Sequence, residues 1–342
     1  MNESRIAAVI MAGGRGERLQ PITDTVPKPI VPIGNGCALG CALRMLFEAG
    51  VRECAVTVRY RADDIKNACG SDFNGVGIGY FEEERAYGTA GGVRAAAGIF
   101  RDYDELFVLS GDAVSDFSLK RALAVHRLNR AEATLMLARS DAPEHYGVVE
   151  LDSDGRVSAF REKPTDAPAG SLVNAGIYVL SRRAVEMIPT EGEYDFGREL
   201  FPAMLKRGER IFGCVGDGYW CDMGTPETYL DACRDAALGK IAGLDAEVDA
   251  SGAVTGKNVR IGKGSVMSGS VLHDGVTVGA DVRAYGAVLC RGVTVGSRVT
   301  IGKGAVIGAD SYIGDGVRIP DGTKTAPNSN IGSGAGVFAE NL

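Results

Sequence analysis

The sequence predicts two folded parts, a mostly parallel α/β domain and, after it, a parallel β-helix. Up to about residue 238, apolar strand-like runs alternate with helix-like segments, an alternation typical of a parallel sheet covered by helices. From about residue 253, an aliphatic residue followed by glycine recurs every six positions, which is the pattern of a parallel β-helix. We therefore expect an α/β domain over residues 1–238, a linker over 239–250 and a β-helix over 251–342.

Short apolar runs bounded by turn residues predict the strands of the first domain. They lie at 6–11, 54–58, 78–81, 106–109 and 134–138. Helical patterns fall between them at 38–49, 90–99 and 119–129, and Gly50 is a natural residue to end the first helix. Further along, a turn at residues 152–155 separates the runs 148–151 and 157–160, which predicts a hairpin, and 173–180 is a further strand. Ligands of such folds bind at the carboxyl ends of the parallel strands.

The six-residue pattern stays in phase over Val295-Gly296, Ile301-Gly302, Ile307-Gly308 and Ile313-Gly314. Each hexapeptide predicts one short strand whose aliphatic side chain points inward, with glycine or a small residue at the corner. A generic glycine-rich linker does not account for repeats that keep their phase. Because a β-helix leaves flat faces and an open coil end, we expect a homo-oligomer that assembles through this domain.

Composition narrows the classes of partner. The 342 residues carry a formal net charge of −7, which argues against nucleic-acid and anionic-membrane binding because both need a basic surface. No apolar run approaches the roughly 20 residues of a membrane span. The eight cysteines lack the paired spacing of a zinc set, so we expect reduced thiols and a cytoplasmic protein.

A glycine-rich loop follows the first strand and is the leading candidate for a ligand site. It is Gly13-Gly14-Arg15-Gly16-Glu17-Arg18-Leu19, and Pro27-Lys28-Pro29 follows it. Glycines let the backbone approach a ligand, and the cations beside them favour an anion such as a phosphate chain. A dinucleotide fingerprint would need glycine in place of Leu19, and no Gly-Lys-Ser/Thr closes the loop as in a P-loop. The alternative is a tight turn between strand and helix with solvated charges.

Taken in order, several motifs resemble those of the sugar-phosphate nucleotidylyltransferases, which join a nucleoside triphosphate to a sugar 1-phosphate. After the glycine loop and Pro27-Lys28-Pro29, the matching motifs lie at 87–91, 109–112, 146–149, 162–164, 174–176 and 219–226. The resemblance covers roughly residues 5–235. It implies a Rossmann-like sheet, and a left-handed β-helix tail is also common in this family.

The resemblance also implies roles for individual residues. Arg18 would grip the triphosphate and the departing pyrophosphate, Lys28 would contact the phosphates, and Lys163 would hold the sugar phosphate. Asp112 and Asp222 would hold Mg²⁺. The implied nucleotide-binding residues are Met11, Ala12, Gly13, Gly14, Gly16, Gly88 and Thr89, and those of the sugar-phosphate side are Gly147, Glu162, Lys163 and Asn174.

Elementary chemistry agrees with these roles. A sugar 1-phosphate is already an oxyanion, so its attack needs no catalytic serine, cysteine or general base. The reaction needs in-line placement against the α-phosphate and neutralisation of the charge that accumulates on the triphosphate. Two carboxylates with open positions suit Mg²⁺, which keeps water and phosphate oxygens as ligands.

The substrate pair follows from a finer resemblance. The segment 88–91, preceded by Glu82-Glu83-Glu84, most resembles mannose-1-phosphate guanylyltransferases, which make GDP-mannose from GTP and mannose 1-phosphate. Glucose-1-phosphate enzymes that use UTP, dTTP or ATP stay open, as does a non-catalytic subunit that binds nucleotide sugar. A further alternative is acyl transfer by the β-helix, for which His273, the sole histidine of the tail, would have to be the base.

Two stretches depart from the family pattern. Glu17 stands where threonine or serine is frequent, and it places a negative charge beside the triphosphate site. Residues 34–40 replace the usual Gly-Lys-Pro-Leu and lack its lysine. Neither departure removes a residue assigned to the chemistry.

Overall fold

The computed structural model describes residues 5–100 and 102–332. Residues 333–342, with which the predicted β-helix domain would end, lie outside the described part, as do residues 1–4 and 101 of the predicted α/β domain. Contacts divide the chain into two compact units. Within the described residues, the first unit consists of 5–14 and 39–220, and the second consists of 15–38 and 221–332.

The first unit contains most of the α/β elements. Its strands are β1 (Ile6–Met11), β2 (Glu53–Val58), β3 (Asp72–Phe73), β4 (Val76–Glu82), β5 (Glu105–Ser110), β6 (Ala113–Ser115), β7 (Ala133–Ser140), β8 (Gly147–Leu151), β9 (Val157–Glu162), β10 (Ser171–Ser181) and β11 (Ile211–Val215). The helices are α1 (Ala38–Ala49), α2 (Ala62–Cys69), α3 (Gly88–Ala97), α4 (Leu119–Leu128), α5 (Arg182–Glu186) and α6 (Phe201–Lys206). A π-helical turn, Phe196–Leu200, precedes α6.

Ten of these strands form one mixed sheet in the order β11-β7-β10-β5-β1-β2-β4-β3, with the hairpin β8-β9 attached to β10. The central strands β5, β1, β2 and β4 run parallel, and β10 runs antiparallel to both β5 and β7. The predicted mostly parallel α/β sheet is confirmed. Every predicted strand and helix of this region is present, whereas α2, α5 and α6 were not predicted because each is eight residues or shorter.

Small residues bring α3 close to the sheet. The helix reads GTAGGVRAAA, and its buried face of alanine, glycine and valine packs against β1 and β2. β1 and β5 are buried along most of their length, so apolar side chains fill both faces of the sheet. This packing fixes the carboxyl ends of β1, β2 and β5 next to one another.

The second unit contains a helix and a coil of short strands. β12 (Trp220–Asp222) spans the point at which the chain passes from the first unit to the second, and α7 (Pro226–Ala237) follows. The remaining strands are β13 (Glu247–Val248), β14 (Val254–Thr255), β15 (Arg260–Ile261), β16 (Val271–Leu272), β17 (Thr277–Val278), β18 (Arg283–Ala284), β19 (Val288–Leu289), β20 (Thr294–Val295), β21 (Thr300–Ile301), β22 (Val306–Ile307), β23 (Tyr312–Ile313), β24 (Arg318–Ile319), β25 (Lys324–Thr325) and β26 (Asn330–Ile331).

These strands form three sheets, β13-β14-β16-β19-β22-β25, β15-β17-β20-β23-β26 and β18-β21-β24. Apart from β13, neighbours pair in parallel at an offset of 17 or 18 residues, which is three hexapeptides per coil. The predicted β-helix is confirmed, and its left-handed sense stays a prediction. Most coils bury two aliphatic residues on each face rather than the single one that the pattern predicts, for example Val293 with Val295 and Val299 with Ile301.

One face of the β-helix is also apolar on the outside. Leu272, Leu289 and Ile307 belong to the interior of the coil, so their strand neighbours point outward. These neighbours, Val271, Val288 and Val306, are nevertheless buried, and together with Val254 we call them the valine face. α7 packs against β14 of the same sheet. α7 therefore packs on the side of the coil that is formed by the sheet of β14, β16, β19 and β22.

Candidate functional site

The glycine loop leaves the carboxyl end of β1 between the ends of two neighbouring strands. Met11, the last residue of β1, is in register with Thr57 of β2 and with the end of β5. The amide of Ala12 donates to the Thr57 carbonyl at 3.0 Å, and the amide of Gly111 donates to the Met11 carbonyl at 2.9 Å. Asp112 follows Gly111, so this predicted metal ligand lies beside the start of the loop.

A carboxylate that the sequence did not single out lies against this loop. A Cβ on Gly13 would be 3.1 Å from Oε2 of Glu83, and one on Gly92 would be 2.5 Å from its Oε1, so glycines leave the space that Glu83 occupies. Burial raises the pKa of Glu83, and the charge of Arg59 and a hydrogen bond to Thr57 oppose this in part. Glu83 is thus a half-buried acceptor beside Gly13.

The predicted nucleotide-binding residues Gly88 and Gly14 differ in their surroundings. Gly14 is exposed, with open space where a side chain would be. Gly88 begins α3 with φ +72°, and a Cβ there would lie 2.6 Å from the backbone of Tyr194. The amides of Ala90 and Gly91 both donate to the Tyr194 carbonyl at 2.9 Å. Two amides at the start of α3 therefore anchor another segment of the first unit, and contact of Gly88 with a nucleotide stays a prediction.

Thr89 ties the same segment down through its side chain. Its hydroxyl donates to Oδ1 of Asp195 at 3.0 Å and accepts from the amide of Phe196 at 3.1 Å. The hydroxyl is thus satisfied within the protein, and contact of Thr89 with a nucleotide stays a prediction.

The sugar-phosphate side is built on the hairpin of β8 and β9. Glu162 ends β9, and its Oε2 would be 3.1 Å from a Cβ on Gly147 and 2.6 Å from one on Gly197. Lys163 follows with φ +47°, and its amide donates to the carbonyl of Tyr146 at 3.0 Å. A lysine in the left-handed region is uncommon, and such strain is concentrated at functional sites. The role implied for the exposed Lys163 stays a prediction.

Asn174 lies where β10 is irregular. The register of β10 with β7 shifts between Asn174 and Tyr178. Within this bulge, the Asn174 amide nitrogen donates to the Tyr178 hydroxyl at 2.8 Å, and its oxygen accepts from the amide of Gly176. A Cβ on Gly176 would be 3.1 Å from that of Ser110, whose hydroxyl donates to Asp112 at 3.0 Å. The bulge therefore brings the sugar-phosphate side next to Asp112 and the glycine loop, as bulges near active sites do.

Two aromatic residues complete this part of the first unit. The indole of Trp220 donates to the carbonyl of Ala175 at 3.0 Å and stands edge-on to Tyr146, with ring centroids 5.2 Å apart. Tyr178 is fully buried, and burial raises its pKa. Trp220 lies inside a matching motif and could have been named from it, whereas Tyr178 looks like an ordinary apolar strand residue in the sequence.

The second unit holds the remainder of the loop. Gly16 has φ +67°, and a Cβ there would be 3.0 Å from that of Lys28 and 3.1 Å from the methyl of Thr23. The Thr23 hydroxyl donates to the Gly16 carbonyl at 2.9 Å. Glycine is therefore required at this turn, which folds the loop back on Lys28. Glu17, the departure from the family pattern, is exposed.

Lys28 pairs with Asp222 in the second unit, and Arg18 lies close by, against Gly224. Nζ of Lys28 lies 3.1 Å from Oδ1 of Asp222, and the two side chains are only 7% and 24% exposed. The guanidinium of Arg18 lies against Gly224, within 3.1 Å of the position of a Cβ. The structure thus brings together Arg18, Lys28 and Asp222, three of the predicted site residues. A lysine with so little exposure is costly unless it is paired.

The donors available for a metal are few and hard. In the range 5–100 and 102–332, no three histidine, cysteine, aspartate or glutamate side chains are grouped as ligands of one ion. Asp112 and Asp222 would each supply carboxylate oxygen, which suits Mg²⁺ because that ion takes one or two carboxylates and completes its shell with water and phosphate. Each of these carboxylates by itself offers the oxygen donor that Mg²⁺ prefers, rather than the thiolate or imidazole donors of a structural zinc site.

Comparisons with known proteins agree with these observations. The family model described as nucleotidyl transferase matches residues 7–238. A mannose-1-phosphate guanylyltransferase of Mycobacterium tuberculosis is 37% identical over 241 residues, which is 70% of this chain and 67% of that protein. The catalytic subunit beta of a mannose-1-phosphate guanylyltransferase of Drosophila pseudoobscura is 35% identical, over 65% of this chain and 60% of that protein.

A UTP–glucose-1-phosphate uridylyltransferase of Synechocystis is 34% identical, over 66% of this chain and 62% of that protein. The aligned part thus spans about 60 to 67% of the length of these relatives. Separately, no helix in the described part of the chain is long and apolar enough to cross a membrane.

Proposed function

The chain belongs to the nucleotidyl transferase family, and from this membership we propose that it transfers a nucleotidyl group from a nucleoside triphosphate to a sugar 1-phosphate. The observation that supports this most directly is the little-exposed Lys28 held against Asp222 beside Arg18. A lysine paired with a carboxylate, with an arginine against Gly224 close by, suits a polyphosphate that binds together with a divalent cation.

The reaction needs no acid or base from the protein. An oxygen of the sugar phosphate forms a bond to the α-phosphorus, and the bond from that phosphorus to the bridging oxygen of pyrophosphate breaks. Lys163 would orient the attacking phosphate, while Arg18 and Lys28 would offset the charge that moves onto pyrophosphate. Asp112 and Asp222 would hold Mg²⁺, which when bound neutralises charge on the triphosphate oxygens. The glycines of the loop would let the triphosphate approach the backbone.

For the substrates we propose GTP and mannose 1-phosphate, with glucose 1-phosphate and UTP as the alternative. Relatives of both names are similar to this chain. Glu83 favours guanine, because a carboxylate only accepts hydrogen bonds and guanine offers two adjacent donors, its N1–H and its amino group. Uracil offers one N–H between two carbonyl oxygens, which a carboxylate would repel.

A pyrophosphate-release assay that crosses nucleoside triphosphates with sugar 1-phosphates tests this proposal. GTP with mannose 1-phosphate should give the highest kcat/KM. Glu83→Gln should reduce the preference for GTP over UTP by about tenfold or more, since it makes one acceptor a donor. Glu84→Gln, a change at the exposed neighbour, is the matched control and should leave the preference unchanged. Nucleotide-sugar binding without turnover would instead favour a regulatory subunit.

We further propose a cytoplasmic homo-oligomer that assembles through the β-helix. No disulfide joins any of the eight cysteines, which suits a reducing compartment. Tyr285 of the β-helix is about half exposed, and tyrosine is enriched at protein interfaces. Light scattering coupled to size-exclusion chromatography should give more than one chain per particle. A monomer at micromolar concentration would contradict the assembly.

A further inference from the structure

A fully buried tyrosine and a buried histidine meet inside the second unit. Tyr229 lies on α7, and His273, only 6% exposed, follows β16 in the β-helix. The Tyr229 hydroxyl lies 2.8 Å from Nε2 of His273 and 2.7 Å from the carbonyl oxygen of Pro32. The two rings stand edge to face, with centroids 6.0 Å apart. One hydroxyl therefore joins three parts of the chain that are far apart in sequence.

The direction of these hydrogen bonds follows from the atoms present. The hydroxyl has one proton, and the Pro32 carbonyl can only accept, so Tyr229 donates to Pro32. The tyrosine oxygen then accepts from His273, which must carry its proton on Nε2. His273 is thus committed to a structural hydrogen bond and is closed off from solvent, which argues against its use as a base for acyl transfer.

Pro32 belongs to the segment that carries Lys28, which we call the lysine segment and define as residues 27–36. It begins with the 3-10 helix Lys28–Ile30, closed by a bond from the Val31 amide to the Lys28 carbonyl at 3.2 Å. At its other end the amide of Asn35 donates to the carbonyl of Asp245 at 2.8 Å. Between these two points, the bond from the Tyr229 hydroxyl to the Pro32 carbonyl links the segment to α7.

We propose that Tyr229 is a positioning residue, which together with His273 holds the lysine segment on the β-helix so that Lys28 stays beside Asp222. The inference rests on the proposed function, because it assumes that Lys28 acts on the phosphates. Its consequence is that the β-helix contributes to the rate of the reaction as well as to assembly. A side chain that acts through Lys28 should change turnover of the triphosphate without changing how the sugar phosphate binds.

The test compares Tyr229→Phe with a matched control, Tyr312→Phe. The control removes a hydroxyl from a half-exposed tyrosine of the β-helix, on a different sheet from β16, which precedes His273. Tyr229→Phe should lower kcat by about three- to tenfold, the range expected for one buried hydrogen bond, and should leave the KM for the sugar 1-phosphate unchanged. Tyr312→Phe should leave kcat unchanged. His273→Leu should lower kcat in the same way, and His273→Gln, whose amide can donate in place of Nε2, should restore most of it.

A double-mutant cycle separates positioning from a general loss of stability. If Tyr229 acts through Lys28, then Tyr229→Phe should have little further effect on kcat in a Lys28→Ala background. Independent, multiplying effects would overturn the inference, as would a wild-type kcat for Tyr229→Phe.

Hydrogen exchange provides a readout that does not depend on activity. Peptides covering residues 28–36 should exchange at least threefold faster in Tyr229→Phe and His273→Leu than in the wild type and Tyr312→Phe. Unchanged exchange there would overturn the inference even if activity fell. If the wild type turned over no substrate pair but exchange rose as expected, the proposed function would fail and the anchoring of the lysine segment would stand.

Discussion

Lowering the pH from 7 to 4.5 should destabilise the protein through His273. Burial lowers the pKa of His273 from its ordinary value of 6.5 to about 4, and the neighbouring Asp274 opposes this shift only in part. In the unfolded chain the imidazole takes up its proton as the pH falls through 6.5, whereas in the folded protein it does so only near pH 4. Between these values the unfolded state binds more protons, so stability that is complete above pH 6.5 is lost as the pH falls toward 4.

The two pKa values determine the size of this effect. One pKa unit corresponds to about 1.4 kcal/mol, so His273 alone should lower the free energy of unfolding by about 2.5 kcal/mol at pH 4.5 relative to pH 7. A carboxylate whose pKa is lowered in the folded protein also makes the protein less stable as the pH falls, and Glu227 at the start of α7 is one such group. The measurement must therefore separate the histidine from the carboxylates.

Urea unfolding followed by far-ultraviolet circular dichroism at both pH values makes this separation. His273→Gln keeps an N–H donor but does not titrate, so it should lose about 2.5 kcal/mol less than the wild type on acidification. His145→Gln is the control, because the side chain of His145 is 64% exposed. It should lose as much as the wild type. Equal losses in the wild type and His273→Gln would refute the argument that His273 is buried in its neutral form.

Three further predictions concern the proposed chemistry and the β-helix. Asp222→Asn should lower kcat by about a hundredfold or more, because an amide is a poor ligand for Mg²⁺ and leaves Lys28 without its carboxylate. Asp217→Asn, which changes an aspartate of an exposed ion pair, should leave kcat unchanged. Equal rates for the wild type and Asp222→Asn at limiting Mg²⁺ would contradict the assignment. Arg18→Ala should lower kcat about tenfold or more, whereas Lys163→Ala should mainly raise the KM for the sugar 1-phosphate, and steady-state kinetics with the opposite pattern would reverse the two roles. A chain ending at residue 250 should lose most of its activity and melt at a lower temperature, because it lacks His273 and the valine face. Full activity of this shortened chain would show that the lysine segment does not need the β-helix.

Much of the fold could be predicted because it follows from local periodicity. The bounds of β1 and α1 were predicted to the residue, since a buried apolar run and a helix that stops at Gly50 are visible within a dozen residues. The hexapeptide pattern predicted the β-helix for the same reason. The valine face is visible in the sequence: the outward strand position is valine at 254, 271, 288 and 306 on one sheet, whereas on the other two sheets it is arginine at 260, 283 and 318 and threonine at 277, 294 and 300.

The candidate site could be predicted only as separate motifs. Their order identified the family, and the comparisons confirm it. The contacts that give those motifs their chemistry join distant residues: Lys28 pairs with Asp222, 194 positions away, and Tyr229 with Pro32, 197 positions away. Nothing in a local pattern encodes which side chains meet across such distances.

The sequence by itself determined the elements, the family and the types of residue available for phosphate chemistry, because propensity, periodicity and charge are properties of short stretches. Only the tertiary structure decided that Glu83 fills the space left by Gly13 and Gly92. It also decided that the lysine segment belongs to the same compact unit as the β-helix and not to the unit that contains the main α/β sheet. The physical reason is burial. The pairing of a little-exposed lysine, the neutral state of a buried histidine and the requirement for glycine at a turn all depend on which atoms exclude water from them.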